Sequence, residues 1–410
     1  MANLIIHRGT EEIGGSAVEI YNSTTRLLFD FGLPLESMLR ESYKPEEYKL
    51  PIRGLYKNEK PEFTAVFLTH AHPDHFGLLE LIHLDIPVYL SRITYDILTK
   101  ITPLLPKAKP SSLNFQIIED SMDFGNITVK AHSVDHSISG ALAYEIETDN
   151  KRIVYTGDIR FHGRASYKSS VFKRAIKNPD YLIMEGTTLG RSEQHIVKEK
   201  DLEEEFVKIF KTDKLPIIQF SPQNIDRFVT VYRACLKTNK TLVIDPYTCC
   251  VLGVYASVSK NIPQYDWNNI MVNFARNSIN DKLAETKVLF KYKAKKITVN
   301  EILTQPEKYA VKGNEAINRQ ILSRLEKDKI NIIFSMWKGY LDRGGQFAEY
   351  KDIIISLHTS GHAYIEDLQK MVDEMKPKFL IPVHTEYKEK YKELFSADVI
   401  ELSDGQIFAL

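Results

Sequence analysis

Four side chains that commonly bind metal ions lie within six consecutive residues of this sequence. They belong to the segment Thr69-His70-Ala71-His72-Pro73-Asp74-His75, which directly follows an apolar run of strand length. Imidazole and carboxylate groups together suit zinc or a similar divalent cation. A loop after a strand could give His70 and His72 to one ion and Asp74 and His75 to another. A histidine-rich surface loop without metal is the alternative, and ligand candidates elsewhere in the chain disfavour it.

Two ions need more ligands than one loop supplies, and three further candidates stand at predicted strand ends: His136, Asp158 and His384. Asp158 ends the segment Tyr155-Thr156-Gly157-Asp158, and a single carboxylate there could bridge two cations. The alternative for Asp158 is a turn aspartate that caps the next segment. His136 taken alone is more typical of an ordinary loop histidine. The combination with the histidine-rich loop therefore favours a two-metal site.

The predicted elements that would position these side chains change in character along the chain. Short strands broken by turns fill roughly the first 190 residues, and the apolar run at 65–69 is typical of a buried strand. Between about 196 and 345, helices alternate with apolar strands, which indicates a separate βαβ layer. The chain then returns to a strand at 352–357, a helix at 365–375 and a strand at 379–383.

Composition and charge limit the class of protein. The chain has 410 residues, of which 43% are hydrophobic and 26% charged, so it is an ordinary globular chain and not a disordered one. Lys+Arg and Asp+Glu both number 54, which excludes a uniformly basic surface but not a local basic groove. Three cysteines argue against a disulfide framework. We find no signal-peptide pattern and no long apolar run, so we expect a cytoplasmic protein without a membrane span.

The motifs together resemble the metallo-β-lactamase superfamily. The resemblance is carried by the H-x-H-x-D-H pattern of residues 70–75, by a later histidine, by Thr156-Gly157-Asp158 and by Asp30 in Phe29-Asp30-Phe31-Gly32. It implies an α/β fold, namely an αββα sandwich with two divalent metal ions at one edge. Zinc is the expected metal, and manganese is the alternative. Asp30 matches an aspartate that usually supports the site rather than binding metal.

The resemblance also implies which residues bind each ion. One ion would be bound by His70, His72 and His136, and the other by Asp74, His75 and His384, while Asp158 would bridge the two.

The C-terminal part resembles the β-CASP nucleases, and within them ribonuclease J. The matching segments are Gly9-Thr10-Glu11-Glu12-Ile13-Gly14-Gly15, His358-Thr359-Ser360-Gly361-His362-Ala363, and Lys376-Pro377-Lys378 followed by Pro382-Val383-His384. The resemblance implies a metallo-β-lactamase domain formed by residues 1–190 and 349–410, with a β-CASP α/β domain inserted at 191–348. Because the sequence ends soon after His384, we expect it to lack the C-terminal domain typical of ribonuclease J. Assembly stays open, with a homodimer as one alternative.

Carried over by position, the family's motif A acid falls on Glu185 and its motif B histidine on His362. We expect Asp74, Glu185 and His362 to be catalytic. A turn or helix-capping acid is the alternative for Glu185, and a packed histidine is the alternative for His358. The expected substrate contacts are His358, Ser360, His362, Asn224, Arg227, Trp337 and Lys338. Ordinary packing is the alternative for Trp337.

The resemblance thus implies a metal-dependent ribonuclease for RNA processing or decay. A hydroxide activated by two metal ions would hydrolyse phosphodiester bonds and leave 5′-phosphate and 3′-hydroxyl ends. The enzyme could act as a 5′–3′ exonuclease, an endonuclease or both. Single-stranded RNA is the expected partner, with DNA as an alternative, and the basic segment 287–296 could contact a strand unless it is only a solvated face. A hydrolase of a small ester, thioester or lactam is the competing function.

Overall fold

The chain folds into two compact units. The computed structural model describes residues 1–38, 40, 42–105, 113–191, 197–341 and 346–410. The first unit comprises Met1–Ile196 with Gly361–Leu410, and the second comprises Val197–Ser360. Within the described ranges, no helix has the length and apolar character needed to cross a membrane.

Strands and α-helices are numbered here in chain order. The strands of the described residues are β1 (Asn3–Arg8), β2 (Ala17–Tyr21), β3 (Arg26–Phe29), β4 (Ala65–Phe67), β5 (Val88–Leu90), β6 (Phe115–Ile117), β7 (Ser121–Phe124), β8 (Ile127–Ser133), β9 (Leu142–Thr148), β10 (Lys151–Tyr155), β11 (Tyr181–Glu185), β12 (Leu215–Gln219), β13 (Thr241–Ile244), β14 (Ile270–Asn273), β15 (Lys296–Ile297), β16 (Tyr309–Lys312), β17 (Ile330–Phe334), β18 (Ile354–Ser356), β19 (Phe379–Val383), β20 (Asp398–Val399) and β21 (Ile407–Ala409). The α-helices of the same residues are α1 (Leu35–Met38), α2 (Pro73–Phe76), α3 (Arg92–Asp96), α4 (Tyr167–Ala175), α5 (Glu199–Phe210), α6 (Ile225–Lys237), α7 (Pro246–Tyr255), α8 (Ser278–Glu285), α9 (Leu289–Tyr292), α10 (Val299–Thr304), α11 (Glu315–Leu322), α12 (Ile365–Met375) and α13 (Tyr391–Leu394).

Two stacked sheets form the first unit. Their strand orders are β21-β1-β2-β3-β4-β5-β6 and β20-β19-β11-β10-β9-β8-β7. Phe29 and Phe67 of the first sheet pack with Tyr144 of the second in one buried core, with ring centroids 5.1–5.5 Å apart. On the other face of the second sheet, Phe172 of α4 and Met371 of α12 pack in another buried core. The layers agree with the predicted sandwich.

Neighbouring parallel strands bring distant residues to one edge of the second sheet. Strands β10, β11 and β19 lie side by side and run parallel. Asp158 follows β10, Glu185 ends β11 and His384 follows β19. Because parallel strands end at the same edge of a sheet, these three side chains meet although His384 lies about two hundred residues after the other two in sequence.

The second unit contains a fully parallel sheet of the order β15-β14-β13-β16-β12-β17-β18. Every residue of β17 is buried, as expected for a parallel strand covered on both faces. Asparagine, aspartate or threonine side chains cap the N-termini of five of its helices, which explains where those helices begin. The parallel strands and the helices between them agree with the βαβ layer predicted for this part of the sequence.

Gly32 lies against the backbone of the histidine-rich loop, and this contact makes a first prediction. A Cβ atom at Gly32 would stand 1.6 Å from the carbonyl oxygen of Asp74. We expect Gly32→Ala to lower the free energy of unfolding by about 3 kcal/mol, because backbone would have to move. Gly253→Ala is the matched control, since nothing lies within 4 Å of its Cβ position in α7. Thermal unfolding of the two variants checks this, and a wild-type midpoint for Gly32→Ala would contradict it.

Candidate metal centre

The structure brings the seven predicted metal ligands together in two overlapping groups within the first unit. One group holds His70, His72, His136 and Asp158, and the other holds Asp74, His75, His384 and the same Asp158. In each group, the candidate ligand atoms all lie within 4.8 Å of one another. The residue that both groups share is Asp158, which follows β10, so a single carboxylate faces both groups.

Three imidazole nitrogens converge in the first group. His72 Nδ1 lies 2.9 Å from His70 Nε2 and 3.1 Å from His136 Nε2. Asp158 Oδ2 lies 3.6 Å from both Nε2 atoms. Two nitrogens bound to one tetrahedral zinc at about 2.0–2.1 Å stand about 3.3 Å apart. The spacing of the four atoms therefore suits one divalent cation.

The second group pairs two imidazoles with two carboxylates. His384 Nε2 lies 3.3 Å from Asp74 Oδ2 and 3.8 Å from Asp158 Oδ1. His75 Nε2 lies 3.2 Å from Asp158 Oδ2 and 3.9 Å from Asp74 Oδ2. Carboxylate and imidazole donors at these separations again suit a divalent cation of the zinc or manganese type.

Buried polar atoms without partners support a pair of cations at these positions. Asp158 is 1% exposed, and neither of its carboxylate oxygens makes a hydrogen bond to any residue that the structure describes. Among the described residues, His75 Nε2 likewise has no hydrogen-bond partner, and it lies 3.2 Å from Asp158 Oδ2. A buried carboxylate is costly unless a positive charge pairs with it. The donor set therefore fits two cations bridged by Asp158.

Asp30 orients His75 from behind the second group. Its Oδ2 atom lies 2.8 Å from His75 Nδ1 and accepts a hydrogen bond from the Tyr155 hydroxyl at 2.9 Å. A carboxylate that holds the Nδ1 proton leaves the Nε2 lone pair of the ring for a metal ion. The backbone of Asp30 is left-handed, with φ 61°, a conformation that aspartate tolerates better than most residues.

Glu185 and His362 form a third, adjoining group with Asp158 and His384. Glu185 Oε1 accepts a hydrogen bond from the backbone N–H of Ile159 at 2.7 Å, and Oε2 lies 2.8 Å from His362 Nδ1. The side chain of His362 is 19% exposed, whereas those of Glu185 and Asp158 are 1% exposed. His362 thus borders the metal groups from a position that solvent can reach.

Burial keeps the histidines of the first group neutral. It lowers the pKa of His70 and His136 well below the usual value and lowers the pKa of His72 to about 4. Neutral imidazole is the form that binds metal cations, so these side chains are ready to bind near pH 7 without losing a proton first.

The second group carries a concentrated negative field. Burial opposes ionisation of Asp74, but a hydrogen bond with His384 and the neighbouring imidazoles outweigh it and lower the pKa of Asp74 to about 2. The pKa of Asp158 also lies well below its usual value, because His384 and His75 outweigh its burial. In turn, the carboxylates raise the pKa of His75 and His384 against the effect of burial. The field that holds protons on these rings would equally attract a divalent cation.

Six predicted substrate contacts lie in the second unit: Asn224, Arg227, Trp337, Lys338, His358 and Ser360. Arg227 is fully buried, 2.8 Å from Glu199, and also donates to the backbone oxygen of Ser335. Asn224 caps α6 by accepting a hydrogen bond from the backbone N–H of Arg227. Both therefore have structural roles within this unit, and their contact with substrate stays a prediction.

Known protein families match the two parts of the chain that carry the candidate ligands. A model of the beta-lactamase superfamily domain matches residues 25–212, and a model of the Zn-dependent metallo-hydrolase RNA specificity domain matches residues 351–400. Ribonuclease J of Mycoplasma genitalium is 25% identical over 98% of this chain and 72% of its own length. Ribonuclease J of Mycoplasma pneumoniae is 24% identical, over 93% and 67% respectively. Ribonuclease J of Helicobacter pylori (strain ATCC 700392 / 26695) is 22% identical, over 92% and 55%.

A solved structure shares the fold. The crystal structure of a protein of unknown function from Enterococcus faecalis V583 has a TM-score of 0.80 and 24% sequence identity over the whole of both chains.

The sheets, the His/Asp groups and the matched models show a metallo-hydrolase that contains a metallo-β-lactamase domain and the RNA specificity domain of Zn-dependent metallo-hydrolases. Over most of its length the chain is similar to ribonuclease J. The predicted family resemblance and the predicted fold class are both confirmed.

Proposed function

We propose that the chain is a metal-dependent ribonuclease of the ribonuclease J type that acts on single-stranded RNA. One observation carries the proposal: His362 and His384 both lie in the segment that matches the RNA specificity domain, and both belong to the ligand groups around Asp158. The segment linked with RNA thus supplies side chains directly to the hydrolytic centre. This favours a phosphodiester over a small ester, thioester or lactam as the substrate.

The proposed metal sites follow the two ligand groups. His70, His72 and His136 would hold one cation, Asp74, His75 and His384 the other, and Asp158 would lie between them. Zinc suits the imidazole-rich donor set best, and manganese is the alternative. When bound, the two cations would supply a water of lowered pKa and positive charge for the phosphoryl oxygens.

Glu185 and His362 are the side chains to which we assign roles in the proposed reaction. Glu185 Oε2 lies 2.8 Å from His362 Nδ1 and orients this ring, which is 19% exposed and so within reach of a substrate. In this proposal His362 contacts the scissile phosphate and donates a proton to the leaving 3′-oxygen. Water gives one proton to solvent and its oxygen bonds to phosphorus as the bond from phosphorus to the 3′-oxygen breaks. Solvent then returns a proton to His362. The products are a 5′-phosphate end and a 3′-hydroxyl end.

Two surfaces of the second unit are proposed to contact the RNA strand. Trp337 and Tyr340 are 38% and 46% exposed and pack edge to face with centroids 5.5 Å apart, with Lys338 between them in sequence. In the basic segment 287–296, Phe290 is 62% exposed and Lys293 Nζ lies 4.0 Å from its ring centroid. Exposed aromatic rings beside lysines suit base stacking and phosphate contact. Such contacts would favour single strands without reading sequence.

Product mapping tests the proposed reaction. The purified chain is loaded with zinc or manganese and mixed with end-labelled RNA and DNA that carry 5′-monophosphate, 5′-triphosphate or 5′-hydroxyl ends. We expect RNA to be cleaved to products with 5′-phosphate and 3′-hydroxyl ends, with the activity lost on chelation. The same assay distinguishes 5′–3′ exonuclease from endonuclease cleavage. Turnover of nitrocefin or a thioester without any cleavage of RNA would overturn the proposal.

The proposed place of action is the cytoplasm. Three cysteines in 410 residues are too few for a disulfide-stabilised secreted protein of this size. Fractionation of cells that express the tagged chain checks this proposal.

A further inference from the structure

We propose that Thr69 and Thr187 are positioning residues that fix the ring tautomers of His70 and His384. Each threonine hydroxyl lies between a buried carboxylate and the Nδ1 atom of an imidazole in a ligand group. Each hydroxyl donates its proton to the carboxylate and can then only accept a hydrogen bond from Nδ1–H of the histidine. The carboxylate therefore orients a second imidazole through the hydroxyl, without contacting that ring directly. The inference rests on the proposed metal-binding roles of the two histidines.

The contacts of Thr187 determine where the proton of His384 resides. Thr187 Oγ1 donates to Glu185 Oε2 at 2.6 Å and lies 2.8 Å from His384 Nδ1. Glu185 is surrounded by donors, since it also faces the Ile159 N–H and His362 Nδ1, so it acts as an acceptor. A hydroxyl has one proton, and Thr187 uses it in the hydrogen bond that it donates to Glu185. The threonine oxygen can then only accept, so Nδ1 of His384 keeps its proton and a cation would take the place of the proton on Nε2.

The consequence for the second ligand group is direct. His384 Nε2 is the ring nitrogen that faces this group: it hydrogen-bonds to Asp74 Oδ2 at 3.3 Å and lies 3.8 Å from Asp158 Oδ1, and it would exchange its proton for a cation. The backbone of His384 is left-handed, with φ 52°, so this ring is held at the end of β19 in a conformation that few residues adopt. The hydroxyl of Thr187 thus keeps a proton on Nδ1, so that Nε2 is the nitrogen that a cation would bind.

Thr69 has the same relation to the first ligand group. Its hydroxyl lies 2.9 Å from Asp30 Oδ2 and 3.0 Å from His70 Nδ1. Asp30 already receives hydrogen bonds from the Thr69 backbone N–H and the Tyr155 hydroxyl, so its oxygens are acceptors. Nδ1 of His70 must therefore carry the ring proton, and His70 Nε2, which lies 2.9 Å from His72 Nδ1, keeps its lone pair.

The two arrangements share one plan. A single carboxylate orients two imidazoles, one by direct contact and one across a threonine hydroxyl. Asp30 holds His75 directly and His70 through Thr69, whereas Glu185 holds His362 directly and His384 through Thr187. Two buried carboxylates thereby set four histidine rings, which lowers the number of buried charges that the centre needs.

The test compares Thr187→Val, which removes the hydroxyl at nearly constant volume, with Thr187→Ser, which keeps it. Zinc affinity is measured on the full chain by competition with a chromophoric chelator, and the His384 tautomer is read from long-range ¹H–¹⁵N NMR spectra of the zinc-loaded protein. We expect Thr187→Val to weaken zinc binding about 10–100-fold. Thr187→Ser should stay within about 3-fold of wild type and keep the proton on Nδ1. Neither readout requires RNA cleavage, so the proposed ribonuclease activity could fail while this inference stands.

Thr188→Val is the matched control, because Thr188 is also a buried hydroxyl but donates to the backbone oxygen of Ala363 and not to a carboxylate. It should retain wild-type zinc affinity. The inference is overturned if Thr187→Val binds zinc as the wild type does, if Thr187→Ser is as weak as Thr187→Val, or if Thr188→Val is equally weak. Thr69→Val and Thr69→Ser repeat the comparison for His70 and decide the matter if Thr187→Val does not fold.

Discussion

Replacing Asp74 and His75 together with alanine should abolish RNA cleavage while leaving RNA affinity within a few-fold of wild type. The pair supplies two of the four side chains in the second ligand group, so the variant should lose one of its two metal ions. A catalytic cation supplies several kcal/mol of transition-state stabilisation, which corresponds to a rate loss of about a thousandfold or more. Metal content by elemental analysis, cleavage rate and fluorescence anisotropy of labelled RNA measure the three quantities separately.

The control for this double variant removes the same residue types outside the ligand groups. His83 and Asp85 lie in the loop before β5, with side chains 22% and 82% exposed and 3.7 Å apart. His83→Ala combined with Asp85→Ala should retain two metal ions and full activity. An unchanged cleavage rate in the Asp74/His75 variant would reject the assigned centre, because both side chains belong to the second ligand group.

The ligand set could be predicted from sequence because its geometry follows from local rules. One loop of six residues carries four of the seven side chains, so their proximity needs no knowledge of the rest of the fold. Asp158 and His384 were recognisable as residues that end apolar runs, and parallel strands end at one edge. Proximity could be predicted where a side chain's place depends on its own strand and on the class of sheet, while metal binding by these side chains stays a prediction.

Partner choice between distant side chains could not be predicted in the same way. Arg227 was predicted to contact substrate, and nothing in the sequence indicates that Glu199, on a different helix, pairs with it. The strand order of the sheet in the second unit could not be predicted either. Strand β16 lies between β12 and β13, although β14 and β15 come between β13 and β16 in sequence. Such placements depend on which buried surfaces fit, and no local pattern encodes that fit.

The threonine hydroxyls show a further limit. Thr187 follows Glu185 by two residues, and Thr69 precedes the histidine-rich loop, yet threonine is common beside strands and no spacing rule marks a hydroxyl as an intermediary. A signal was present in retrospect: each threonine stands within two residues of a charged or imidazole side chain at a strand end. Only the contacts on both sides of the hydroxyl in the structure distinguish that role from ordinary packing.

Replacing His362 with alanine should lower the rate of RNA cleavage about 10²–10⁴-fold without removing either metal ion, which is the size expected for a lost proton donor. His362 is held by Glu185 through Nδ1 and is 19% exposed, so its proposed task is protonation of the leaving 3′-oxygen. His132→Ala is the matched control, because His132 also pairs with a glutamate, Glu145, at 2.9 Å and is 23% exposed. It should cleave RNA at the wild-type rate.

The leaving group separates this role of His362 from metal binding. A nitrophenyl phosphodiester releases a phenolate that needs no proton, so His362→Ala should lose less than about tenfold on that substrate while it loses at least a hundredfold on RNA. Equal losses on both substrates would contradict the proton-donor role. A fall in metal content would instead make His362 a ligand, which its membership of the group with Asp158, Glu185 and His384 allows geometrically. Measuring both substrates and the metal content of one variant therefore tells whether the solvent-reachable imidazole serves the substrate or the cations.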